Sequence, residues 1–463
     1  MKRPKLPTAR ARTTPPIFDP RASAGEVTSE TTGRYIIIFR DGAVEEGRRL
    51  LESVGFIVAN ADDTAEGILR EEDAVGADVL IFPRVEMALL SGEEGQYEKV
   101  HAVGAGSDPN SPVLSVNPET VVYAAGKSRQ HDSVAELDAY LHGYSDAVHK
   151  LIESLRGGVP TPSSIMSAAA VERFAFREDL NTWGLQATRV VNSRFTGRGI
   201  RLAVLDSGLD FNHRDFRGRV DPMNTISFVE GSDVLDHLGH GTHCAGIACG
   251  PARAAEGPRY GVAPDVGVHI GKVINDNGIG AKSRIIAGID WAIKKGCQVI
   301  SISIEEDVSP GEPFKADYEN AGRRALLNSA LVIASAGNGS NRRLRPARPV
   351  SAPANSPSII AVGSVGQTAA VSTFSNGGVN PNGGEVNIAA PGESIHSSFR
   401  SDSYFRDSGT SQATPLLAGI AALFAEADST ARGQRLVTLL QQFALNVGAN
   451  PVDVGAGVVQ APN

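Results

Sequence analysis

Beyond residue 200 the chain repeats one pattern, a short run that is apolar throughout followed by a stretch of helical periodicity. Leu202–Leu205 in GIRLAVLDSG is such a run, and VGVHIGKVI is another. SRIIAGIDWAIKKG leads into CQVISISI, NAGRRALLNSA leads into LVIASAGN, and PSIIAVGSV follows. A strand with one wet face alternates apolar and polar residues, so a run without alternation suits a strand covered on both faces. The pattern predicts an α/β unit over 181–463, a mostly parallel central sheet with helices on both sides in three layers. In such sheets functional residues gather at the carboxyl ends of the strands.

The chain has 463 residues, enough for a second unit upstream. Residues 1–32 are rich in Pro, Arg, Thr and Ser and read as a flexible tail. Over 33–126, Tyr35–Phe39 form a β-branched run closed by Asp-Gly, and Val44, Leu50, Leu51 and Val54 follow at helical spacing. GFIVAN, DVLIFPRVEMALL and, after a loop, VLSVNPETVVYAA then read as strands. This order predicts a small α+β domain, ferredoxin-like in type. Leu137, Leu141, Tyr144, Val148 and Leu151 share a helical stripe ended by GGVPTPSS, so 127–180 reads as a helical linker.

Bulk properties narrow the function. Hydrophobic residues make up 41% and charged residues 21%, which suits a chain that is mostly globular. The net charge is -8 and the basic cluster RRLRPAR (Arg342–Arg348) reads as a solvated loop, so no nucleic-acid surface is expected. No run of about 18 apolar residues predicts a membrane span. The basic N-terminal stretch has no apolar segment behind it, which lacks the pattern of a secretory signal and leads to the expectation of a cytoplasmic protein. Cys244, Cys249 and Cys297 show neither disulfide-scaffold nor zinc spacing.

The strand ends and one helix start carry the chemistry. Asp206 follows the run Leu202–Leu205, Asn338 follows LVIASAG, and Ser411 opens the apolar stretch SQATPLLAGIAALFAEA. Each has an ordinary reading: Asp and Asn as turn residues, Ser as a helix N-cap. His237, His240 and His243 lie at spacings of three, but Gly239 and Gly241 flank His240 and no HExxH pattern is present, so no metal site is expected. Together, Asp206, His240, Asn338 and Ser411 form a chemical set. A serine hydroxyl needs a base to take its proton, an imidazole needs a carboxylate to hold its tautomer, and a developing oxyanion needs amide donors.

The stretches VLDSGLD, GHGTHCAGI, ASAGN and SGTSQATP resemble the motifs of the subtilisin-like serine proteases, the subtilases, in the same chain order. Subtilisin is itself the worked case for that order and for an Asn oxyanion donor. The resemblance implies the subtilisin-like fold and a serine endopeptidase acting on proteins or peptides through an acyl-enzyme. Asp206, His240 and Ser411 would be its triad and Asn338 its oxyanion donor, while His237 and His243 would be structural.

The resemblance further implies that SISIEED pairs with an extended peptide, so that Ser303, Ile304 and Glu305 bind substrate. Glu305 stands where the family usually has Gly. Either Glu305, Glu306 and Asp307 form a solvated loop, or they favour basic residues on the acyl side of the cut. No cofactor is required. Calcium occurs in many members, and Asp215 matches one of their ligands, but the Asn-containing loop is missing. Residues 33–126 resemble, more distantly, the propeptide that serves subtilases as chaperone and intramolecular inhibitor. Three alternatives stay open: a permanent N-terminal docking domain, a silent binding protein on the same fold, and an acyl transferase or peptide ligase. An α/β-hydrolase is disfavoured, because its G-x-S-x-G elbow is missing.

Overall fold

The computed structural model describes residues 30–63, 76–92, 95–104, 108–125 and 176–463. The expected stripe from Leu137 to Leu151 lies outside these residues, as does the tail up to residue 29. The N-terminal unit runs β1 (Thr31–Phe39), α1 (Val44–Ser53), β2 (Val58–Asn60), β3 (Val79–Phe82), β4 (Met87–Leu90), α2 (Gln96–Val103) and β5 (Val113–Ala124). Its sheet has the order β5-β1-β4-β3-β2. β1 is antiparallel to both β4 and β5, and β2 is parallel to β3. β1 begins at Thr31, two residues before the expected start, and α2 lies in a stretch read as loop.

The run Tyr35–Phe39 is apolar throughout for a reason that the α+β unit alone does not supply. Ile37 and Phe39 join Leu51 of α1 and Val100 of α2 in one core. Ile36 and Ile38 point the other way, into a core that they share with the larger unit. A period of two puts alternate residues on opposite faces, so an uninterrupted apolar run signals two buried faces. The N-terminal sheet is thus packed against the rest of the protein.

The larger unit is built on β6 (Arg201–Asp206), β7 (Thr225–Ser227), α3 (His240–Cys249), β8 (Gly267–Lys272), β9 (Ile279–Ala281), α4 (Lys282–Lys294), β10 (Val299–Ile302) and β11 (Ile304–Glu305). It continues with α5 (Ala316–Leu327), β12 (Leu331–Ser335), β13 (Ile360–Val365), β14 (Ile388–Pro391), β15 (Ile395–Phe399), β16 (Ser403–Asp407), α6 (Thr410–Ala427) and α7 (Gly433–Gln442). The central sheet is β14-β13-β12-β10-β6-β8-β7, and its paired strands are parallel.

Alternate residues of β6 face opposite cores. Leu202 and Val204 meet Ile247 of α3 and Leu417 and Ile420 of α6, whereas Ala203 and Leu205 meet Ile286 of α4 and Ala321 of α5. This is the three-layer α/β arrangement that the apolar runs called for. α6 is buried along almost its whole length, which fits its apolar character on all sides. Among the described residues, no helix is long and apolar enough to cross a membrane.

Candidate active site

Asp206 closes β6 and is almost fully buried. Its Oδ1 accepts from the Ser207 N–H at 2.7 Å and lies 2.7 Å from His240 Nδ1. His240 opens α3 directly after Gly239, whose φ of 96° suits glycine and whose Cβ position would lie 2.5 Å from the Phe399 ring. Burial disfavours the imidazolium, but the Asp206 carboxylate outweighs it and holds the His240 pKa well above its usual range.

The turn into α3 is fixed by Asp236, a residue that the sequence reading passed over. Its Oδ1 accepts from the Gly239 and Leu238 amides and the Ser207 hydroxyl, while Oδ2 accepts from the Thr242 N–H and hydroxyl. No N-cap pattern marked it, because the cap position is Gly239 and Asp236 lies three residues before that. Lys272, fully buried, pins the same region by donating to the Ser207 and Leu235 carbonyls and to Asp276.

Ser411 is the second residue of α6. Pro415 lies four residues further on and has no N–H, so the Ser411 carbonyl lacks its helical donor. Ser303 Oγ fills that place at 2.9 Å, and Cys244 Sγ donates at 3.5 Å. Ser411 Oγ donates to the Ala125 carbonyl at 3.3 Å. His240 Nε2 is buried with no hydrogen-bond partner among the described residues. The structure therefore joins Asp206 to His240, and it does not show a hydrogen bond between His240 and Ser411.

Asn338 follows β12. Its Oδ1 accepts from the Thr410 N–H and hydroxyl at 2.8 and 2.9 Å, which leaves its Nδ2 as the outward donor. That nitrogen lies 3.2 Å from where a Cβ on Gly409 would stand, so residue 409 has little room for a side chain.

Ser303, Ile304 and Glu305 meet the end of β5. The Ala125 N–H donates to the Ser303 carbonyl at 3.2 Å, and Ile304 and Glu305 pair antiparallel with Ala124 and Tyr123. β9 covers the other edge, with Val121, Val122 and Tyr123 opposite Ala281, Gly280 and Ile279. β5 thus ends as the middle of three antiparallel strands, with the Ala125 carbonyl at Ser411. β9 escaped the sequence reading because three residues are too few to show a periodicity.

The solvated-loop reading of Glu305 and Glu306 is corrected, since both are buried. Glu305 Oε2 accepts from the Asn338 N–H at 3.0 Å. Glu306 accepts from the Thr120 hydroxyl at 2.9 Å and faces Lys315 at 3.5 Å. Asp307 is partly exposed, 3.8 Å from Arg348.

His243 is buried, and burial holds its pKa down at about 4. Its Nε2 lies 3.1 Å from the Phe405 carbonyl, so a neutral ring donates there. His237 is exposed. The three cysteines are buried and free, with Cys249 and Cys297 pushed up to about 12 by burial.

Residues 197–457 match the family model described as the subtilase family, Peptidase_S8. The chain belongs to the subtilase family. M-protease of Shouchella clausii is 32% identical over 432 residues, covering 91% of this chain and 97% of that protein. Subtilisin DY of Bacillus licheniformis is 31% identical over 265 residues, 57% of this chain and 90% of that protein. The major intracellular serine protease of Bacillus subtilis is 34% identical over 231 residues, 49% of this chain and 68% of that protein. This subtilase is accordingly a subtilisin-like serine endopeptidase, a hydrolase of peptide bonds.

Calcium, which the family suggests at Asp215, does not fit the residues present. Asp215 Oδ1 accepts from the Ala255 N–H at 2.8 Å, and Oδ2 accepts from the Tyr260 and Tyr404 hydroxyls at 2.6 and 2.9 Å. Calcium needs six to eight oxygen ligands, and these neighbours present hydrogens. Elsewhere among the described residues, Asp206, His240 and Cys244 bring metal-binding atoms within 4.8 Å of one another. Two of those atoms are already committed to the Asp206–His240 hydrogen bond.

Proposed function

We propose that this subtilase hydrolyses peptide bonds through an acyl-enzyme on Ser411, and that its first substrate is its own chain at the bond between Ala125 and Gly126. The observation that carries this reading is the seat of residues 121–125 between β9 and β11, with the Ala125 carbonyl 3.3 Å from Ser411 Oγ. Ser411 Oγ turns from that carbonyl oxygen toward His240 Nε2 and attacks the carbonyl carbon, while the ring takes its proton. Asp206 stabilises the imidazolium. Asn338 Nδ2 and the Ser411 N–H hold the oxyanion. His240 then gives its proton to the Gly126 nitrogen, which leaves as an amine. Water, deprotonated by His240, releases Ala125 as a carboxylic acid.

The N-terminal unit restrains the enzyme in this reading, because β5 fills the groove that another peptide would need. Asp290 on α4 supports such docking by accepting from the Arg84 and Val85 amides and the Arg84 guanidinium. Glu119 of β5 does likewise, accepting from the Ser283 amide of α4 and from Arg34. The catalytic part is 181–463, and protein or peptide chains are its substrates.

Intact mass after incubation with a fluorophosphonate probe tests the reading in wild type and Ser411→Ala. A labelled wild-type fragment starting at Gly126, beside a full-length unlabelled variant, is the expected result. A labelled but uncut wild type would mean that the N-terminal unit stays attached. An unlabelled, uncut wild type would mean a blocked or silent site and would refute self-cleavage at Ala125.

A further inference from the structure

We propose that Glu305 sets the size of residue accepted on the acyl side of the cut, reserving that place for alanine and residues no larger. The inference rests on the reading of Ala125 as the acyl-side residue. β10 and β12 are hydrogen-bonded neighbours as far as Ile302 and Ala334. Beyond that point one chain continues as Ser303, Ile304 and Glu305, and the other as Ala336, Gly337 and Asn338. The first carries the peptide, since Ser303 accepts from the Ala125 N–H. The second carries the amide that attends its carbonyl. A side chain at position 125 has to enter between these two walls.

Glu305 spans them. It leaves the first wall beside Tyr123 and ends on the second, where Oε2 accepts from the Asn338 N–H at 3.0 Å. The same oxygen lies 3.0 Å from where a Cβ on Gly337 would stand. Glu305 is 3% exposed, so the side chain is held in place across the gap. A glycine there would leave the gap open to a large side chain. The carboxylate is engaged by a backbone donor on the far wall, which argues for a barrier over a counter-charge for lysine or arginine. The chain's own segment agrees, for it presents alanine at both 124 and 125.

The test uses the full chain and follows appearance of the fragment that starts at Gly126. Ala125→Phe should slow it at least about 10-fold, the scale on which a closed apolar site rejects added carbons. Adding Glu305→Gly to Ala125→Phe should restore it at least about 10-fold. Glu305→Gln keeps the size and removes the charge, so Ala125→Phe should remain slow in that background. Ala125→Lys should also be slow. Faster cutting of Ala125→Lys, lost with Glu305→Gln, would replace the steric account by a charge account. An unrescued Ala125→Phe would overturn the proposal outright.

Fluorophosphonate labelling of Ser411 in every variant separates a dead site from a selective one. If wild type is labelled yet uncut, the self-cleavage reading fails by itself. The ranking is then read from Val-Tyr-Ala-X p-nitroanilides with X as Ala, Phe or Lys, in wild type and Glu305→Gly. Wild type favouring Ala, with a relative gain for Phe in Glu305→Gly, supports the proposal; any other ranking overturns it.

Discussion

Asp290→Ala in the uncut Ser411→Ala background should loosen the N-terminal unit from α4 without touching the groove. Asp290 is 3% exposed. It accepts from the Arg84 amide at 2.6 Å, the Val85 amide at 3.1 Å and Arg84 Nη1 at 2.9 Å. Burial pushes its carboxyl pKa up, and Arg84 pulls against that. Removing one member of a buried charged pair costs about 3–5 kcal/mol, largely through the groups left behind. Arg84 keeps Asp62 at 2.5 Å on its more exposed side, which favours the lower end. About 3 kcal/mol corresponds to roughly 10²-fold at about 1.4 kcal/mol per factor of ten. Hydrogen exchange measures this directly, because the amides at the end of β5, which pair with β9 and β11, exchange when the unit lifts. A peptide covering 121–125 should exchange roughly 10²-fold faster in the variant, while α6 stays protected. Asp290→Asn, which keeps an acceptor, should give a smaller effect. Unchanged exchange of residues 121–125 in Asp290→Ala would show that this contact does not hold the units together.

Asn338→Ala should lower kcat about 10²–10³-fold, the range established for the equivalent donor in subtilisin, with little change in KM in peptide assays. The pH profile of kcat/KM should rise with pH through a midpoint above 6.5, the ordinary His value. Only the neutral ring accepts the serine proton, and the Asp206 carboxylate extends the protonated form to higher pH; Asp206→Asn should move that limb down. Calcium or a chelator should shift the melting temperature by less than about 1 °C, since Asp215 is satisfied by the protein's own donors. Asp215→Ala should destabilise by about 2–3 kcal/mol in denaturant titration, and added calcium should not restore it.

The sequence by itself determined the layers and the chemistry. Runs such as Leu202–Leu205 and Leu331–Ala334 suited strands covered on both faces, and that placed Asp206 and Asn338 at strand ends. The GHGT and SGTS motifs marked His240 and Ser411 through their resemblance to those of the subtilases. Local patterns could not say what lies across a groove. Pairing of β5 with β9 and β11 joins residues more than 150 positions apart, and only the distant resemblance of 33–126 to a propeptide pointed toward it. Burial of Glu305 and Glu306 was equally hidden, because an acidic run looks solvated until partners such as the Asn338 amide and Lys315 are in place. Asp215 gave the same lesson: its match to a calcium ligand was local, whereas Tyr260 and Tyr404, which claim its oxygens, arrive only with the folded chain. A short polar segment carries no trace of its future neighbours, so what each of these side chains does is decided by the tertiary structure.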